Sequence, residues 1–119
     1  PPEIDVAEFV GSNTNNVHMT IHYKNGSGAR ESSSGWWGGI DFSSGYHTYG
    51  LLWEADKLVW YVDGVERRRY INSGNIPDEP MYVAATLALG RAWTNSPPDR
   101  STPLPERLSI DYVKVWQRR

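Results

Sequence analysis

The chain has 119 residues, a formal net charge of −2 and no cysteine. That charge gives no reason to expect a nucleic acid or an anionic membrane as partner; the lack of cysteine excludes a disulfide framework, a thiolate metal site and a thiol nucleophile; and no apolar run approaches the ~18 residues that span a bilayer. The length suits a single domain over 1–119, able to bury roughly 65% of its unfolded surface if it is complete, and its rings are mostly amphipathic, with six Trp and seven Tyr against two Phe.

Three carboxylates fall within the first strand-like stretch, Glu3-Ile4-Asp5-Val6-Ala7-Glu8. Side chains alternate along a strand, so Glu3 and Asp5 share a face, while Glu8 would point into the core with Ile4 and Val6. A lone buried carboxylate costs about 2 kcal/mol or more, up to far larger values when ionised. One extra residue near Val6-Ala7, a β-bulge, returns Glu8 to the face of Glu3 and Asp5 and leaves Ile4, Val6 and Phe9 to the core. Two carboxyl groups facing a substrate about 5–5.5 Å apart are what a retaining glycosidase requires. The pattern by itself also fits a solvated acidic edge strand.

Gly11 to Asn16 reads as a turn cluster, followed by a strand in which Val17, Met19, Ile21 and Tyr23 alternate with His18, Thr20 and His22. Paired with the first strand, this places His18 and His22 on the carboxylate surface, within reach of an acid or a sugar hydroxyl. A metal shared by the two histidines is rejected, because they stand about 13 Å apart along an extended strand. Lys24 to Gly39, rich in Gly and Ser, is expected to be an ordered loop or loose hairpin that can offer Trp36 or Trp37 to a ligand.

Tyr49, Leu51 and Trp53 alternate on one strand, and Leu58, Trp60 and Val62 on the next; Trp53, Trp60 and Trp116 are assigned to the core. Asp63-Gly64 is a two-residue hairpin signal, since a type I′ turn needs positive φ at both central positions. Asp63 is therefore a turn former, with a return strand to about Tyr70 whose Arg67-Arg68-Arg69 run reads as a solvated face. Met81 to Leu89, apolar on both faces, and about Arg107 to Gln117 are expected as further strands, separated by a Pro-rich loop. Short strands, regular turn signals and no helical periodicity argue for an antiparallel β-sandwich.

Pro2 to Gly11 resembles the catalytic strand of glycoside hydrolase family 16, in the bulged E-x-D-x-x-E form of its laminarinase-like members. Val17 to Tyr23 is similar to the strand that follows, and His47-Thr48-Tyr49, Trp53 and Trp60-Tyr61-Val62-Asp63-Gly64 to the family's H-T-Y…W…W-Y-V-D-G run. Met81 to Trp93 and Ile110 to Trp116 resemble two later strands. The family pattern L-N-x-A-x-G-G-x-W is altered here: Thr86 precedes Leu87 in place of Asn, and Arg91 replaces the second Gly.

The resemblance implies an all-β jelly roll of the concanavalin A-like lectin/glucanase type, of which this chain would be the C-terminal part. It implies a secreted, retaining endo-glycosidase acting on a polysaccharide, β-1,3 or mixed β-1,3/1,4-glucan. Glu3 would be the nucleophile and Glu8 the acid/base; Asp5, between them, would help to keep the second proton on Glu8. His18, His22, Trp36, Trp37 and Trp93 would contact sugar. No cofactor is required, and Asp111 aligns with a ligand of a structural calcium, a weak site as a lone carboxylate because calcium takes about six to eight oxygens. A galactan hydrolase of the same family, or a β-sandwich that binds carbohydrate without catalysis, are the alternatives. A missing N-terminal half or a second copy is expected to complete the fold.

Overall fold

The computed structural model describes residues 2–90 and 97–117. Among the described residues it is all-β, with six strands: β1 Glu3–Val10, β2 Asn13–Lys24, β3 Arg30–Gly38, β4 Tyr49–Trp53, β5 Lys57–Val62 and β6 Val65–Ile71. They form two antiparallel three-stranded sheets, β1-β2-β3 and β4-β5-β6. Two compact units are distinguished, Pro1–Pro80 and Met81–Arg119, and all six strands lie in the first.

The first unit is a sandwich whose core comes from the two central strands. Val17, Met19 and Ile21 of β2 face Leu58, Trp60 and Val62 of β5, all essentially inaccessible to solvent. Period-two alternation on both strands produces this, each such side chain contributing about 1.5–3 kcal/mol on burial. Phe42 and Ile76 close the ends. Phe42 is ringed by Phe9, Trp37, His47 and Tyr49 at 5.3–6.2 Å between centroids. At the edges, β1 lies near β4 and β3 near β6.

Local chemistry fixes the turns. Asn25 caps the β2–β3 hairpin, its Oδ1 accepting from the backbone N–H groups of Ser27 and Ala29. Asp63 and Gly64 have φ of 51° and 77°, as the hairpin signal requires. The Asp63 carboxylate also accepts from the Thr48 backbone N–H at 2.9 Å and pairs with His47 Nδ1 at 2.8 Å, which joins the turn to the approach of β4 and holds that carboxyl below its ordinary range.

Several expectations are corrected. β2 begins at Asn13, so only Gly11 and Ser12 turn the chain. The segment expected as an ordered loop or loose hairpin is the second arm of a regular hairpin, the strand β3, in unbroken register with β2 from Asn16↔Gly38 to Lys24↔Arg30. Pairing with a strongly apolar neighbour imposes extension on a Ser- and Gly-rich segment of low β-propensity. The arginine run is a solvated face only at Arg69, which pairs with Glu66: β6 has a bulge opposite Trp60–Tyr61, the Arg67 guanidinium lies 3.8 Å over the Trp37 ring, and Arg68 reaches across to β3.

In the second unit, neither 81–89 nor 107–117 is a strand. A strand needs a ladder partner, and neither run has one among the described residues. Their large apolar side chains stand exposed, Tyr82, Val115 and Trp116 most of all. Trp116, expected in the core, is 81% exposed, and Trp53 is 40% exposed with its indole N–H donated to the Pro77 carbonyl. An Asp99 turn, with Oδ1 accepting from the Ser101 N–H at 2.7 Å, is the main local feature of this unit.

Candidate functional site

The three acids of β1 meet on one face because its pairing with β2 slips. Glu3 stands opposite His22 and Asp5 opposite Thr20, but Glu8 stands opposite His18. Three steps along β1 therefore match two along β2, and the extra residue is the bulge. Continuing across β2 to β3 gives three rows on one sheet face: Glu3–His22–Ser32, Asp5–Thr20–Ser34 and Glu8–His18–Trp36. On the opposite face, Ile4 and Ala7 pack against the core, Ala7 in the place expected for Val6.

Asp5 is the enclosed member, its side chain 13% exposed. Its carboxyl is pushed up to about 6, first by burial, then by the negative charges of Glu8 and Glu3, against a lowering by His22. Both neighbours therefore act on it electrostatically, and it sits between them. The His22 Nε2 lies 3.1 Å from Asp5 Oδ2. Burial and two negative neighbours thus favour the protonated form of Asp5 itself.

Glu3 is more open, 52% exposed, with its Oε2 accepting from Arg30 Nη2 at 3.1 Å. Arg30 escaped sequence reading because it lies 27 residues away and is brought near only by the β2–β3 register. A second unforeseen group lies beneath the sheet, where the Trp60 indole N–H donates to the Asp5 backbone carbonyl at 2.9 Å.

The histidines and tryptophans separate by face. His18 and His22 are on the carboxylate face with Trp36, whose ring is 66% exposed beside the Glu8 row. Trp37, one residue on, is not brought to the site; it faces inward, packed on Phe42 at 5.7 Å beneath Arg67. Trp93 lies outside the described residues. Asp111 is on an exposed run without regular structure, and no group of three or more His, Cys, Asp or Glu suited to a metal occurs among the described residues.

An acid pair flanking a partly buried third acid, beside histidines and an exposed indole on one sheet surface, suits proton transfer and nucleophilic attack. The family model of glycosyl hydrolases family 16 matches residues 1–114. The chain belongs to glycosyl hydrolases family 16. It is 37% identical over 116 residues to an endo-1,3-1,4-beta-glycanase of Rhizobium meliloti (strain 1021), covering 98% of this chain and 24% of that protein. It is 33% identical over 129 residues to glucan endo-1,3-beta-glucosidase A1 of Niallia circulans, covering 97% and 19%. The chain thus spans a quarter or less of the length of these two relatives. A solved structure from work on endo-acting O-glycanases of the human gut microbiota aligns over 57% of this chain and 25% of that one, with a TM-score of 0.50 and 24% identity. That likeness supports the fold alone.

Proposed function

We propose that the protein carrying this chain is a retaining endo-glucanase that hydrolyses β-1,3 or mixed β-1,3/1,4-glucan by double displacement. Glu3 attacks the anomeric carbon and the bond to the leaving oxygen breaks, while Glu8 gives that oxygen its proton. Glu8 then takes a proton from water, whose oxygen displaces Glu3 and returns the sugar with its original configuration. Arg30 orients the Glu3 carboxylate, and His22 with Asp5 holds the middle of the cluster. The observation that carries this reading is the bulged register, which turns Glu8 onto the face of Glu3 and Asp5.

The names of the similar glucan-acting proteins support the substrate class, and Trp36 offers a sugar-stacking platform beside Glu8. Such a polymer is too large to enter a cell, and we propose on that ground that the enzyme acts outside it. We also propose that the apolar side chains exposed on 81–90 and 97–117 are covered in the working enzyme by further strands of the same fold or by a second copy.

The test is reducing-sugar release from laminarin, lichenan, agarose and carrageenan, with proton NMR of the first product. Release from laminarin or lichenan with an initial β-anomer is expected. An initial α-anomer, or release from agarose alone, would overturn the assignment. Glu3→Gln should abolish turnover, and Glu8→Ala should regain turnover on an activated substrate when azide is added.

A further inference from the structure

Among the described residues, the strand that carries the reacting acids is held by its ladder to β2, and that ladder is interrupted between Asp5 and Glu8 and again between Glu8 and Val10. A bulge leaves the extra residue unpaired and bends the strand. A one-residue slip here would turn Glu8 into the core, because side-chain direction has a period of two. The separation of Glu3 and Glu8 is therefore set where the ladder gives the least guidance.

A support for this point comes from the opposite sheet. Trp60, on the central strand β5, is fully buried and donates its indole N–H to the Asp5 carbonyl, at the start of the bulge. The ring itself has little freedom. The Arg68 guanidinium lies 4.5 Å over it, and Arg68 Nη2 donates to the Ser33 carbonyl at 3.1 Å and to Ser33 Oγ at 2.9 Å on β3. Gly35 is the small residue that admits the arginine: a Cβ there would stand 2.6 Å from Arg68 Nε. Asp5, Trp60, Arg68 and Ser33 thus tie the bulged strand to β3 of its own sheet by way of the other sheet.

We infer that Trp60 is a positioning residue for hydrolysis, its N–H fixing the backbone at Asp5 and thereby the direction in which the bulge presents Glu8 relative to Glu3. This rests on the reading of Glu3 and Glu8 as the reacting pair. A tryptophan kept only for its volume would fill the core as well without its nitrogen, and the donor is the part of the ring that the packing does not require.

The experiment removes the N–H and keeps the shape, by placing β-(3-benzothienyl)alanine at position 60 of the full chain, with Trp60→Phe as the genetically encoded counterpart. If either fails to give a cooperative melt, the other is read. Two quantities are measured: kcat and KM on laminarin, and the titration of the Asp5 carboxyl by carbon-13 NMR. The groups acting on that carboxyl are Glu3 and Glu8 from β1 and His22 from β2.

The expected result is a kcat lower by about tenfold to a hundredfold, as a displacement near 1 Å in reacting groups produces, with KM little changed. The Asp5 titration moves at the same time. Wild-type kcat with an unmoved Asp5 titration would overturn the inference. If the unmodified protein hydrolyses none of the glucans, the reaction assignment fails instead, and the Asp5 titration alone still decides whether the indole N–H sets the carboxylate cluster.

Discussion

Asp5→Asn removes the one carboxyl whose ionisation the fold opposes, and the consequence for stability has a definite sign. In the folded protein this carboxyl is pushed from 3.8 to about 6. Below about pH 4 it is protonated in the folded and unfolded states alike, and no cost arises. Between about pH 4 and pH 6 the unfolded chain has released its proton while the folded one retains it, so stability falls as pH rises. Above about pH 6 the folded state carries the whole penalty, about two pKa units, or about 3 kcal/mol at 1.36 kcal/mol per unit.

An asparagine cannot ionise, and its side-chain oxygen can still accept from His22 Nε2. The variant should match the wild type near pH 4 and exceed it by up to about 3 kcal/mol near pH 7, which is a large fraction of an ordinary domain's stability. Urea melts of both proteins across this range measure the difference, and carboxylates away from Asp5 cancel in the comparison. A gap that stays constant from pH 4 to pH 7 would show that the enclosure of Asp5 between Glu3 and Glu8 is not what raises its carboxyl. The same variant should be a weakened enzyme, which would set the interior placement of this acid as a cost in stability accepted for catalysis.

The paired tryptophans should respond in opposite ways. Trp36→Ala should raise KM by roughly threefold to tenfold, since an aromatic contact is worth about 0.5–1.5 kcal/mol, and leave the melt in place because its ring is already exposed. Trp37→Ala should lower stability by up to about 3 kcal/mol, through loss of packing on Phe42 and of the ring under Arg67, with little change in KM for the folded fraction; a reversed pattern would mean that the faces of β3 are misassigned. Size-exclusion chromatography with light scattering should find this chain dimeric or larger when produced alone, and a cooperative monomer of 13.5 kDa would show that the apolar side chains exposed on 81–90 and 97–117 need no cover.

What the sequence disclosed and what it withheld divide along a physical line. The bulge was legible because an E-x-D-x-x-E run leaves only two choices for Glu8, a costly place in the core or an inserted residue, and the register shows the insertion. Asp63-Gly64 was legible because its conformation is written in two adjacent residues. The identity of β3 was hidden, since Ser32, Ser33, Ser34 and Gly35 become a strand through the ladder that β2 offers and not through their own preference. Met81 to Leu89 misled in the opposite direction: the run has the composition of a covered strand, but composition does not supply the neighbour that makes it one.

The contacts that organise the site are the least local of all. Arg30 reaches Glu3 across 27 positions, and Trp60 reaches the Asp5 carbonyl across 55. Neither leaves a periodic trace, because each depends on how two strands or two sheets are stacked. The chemistry of the acids can therefore be read from β1, but their geometry belongs to β3, β5 and β6, and changes in those strands should alter turnover without touching a carboxylate.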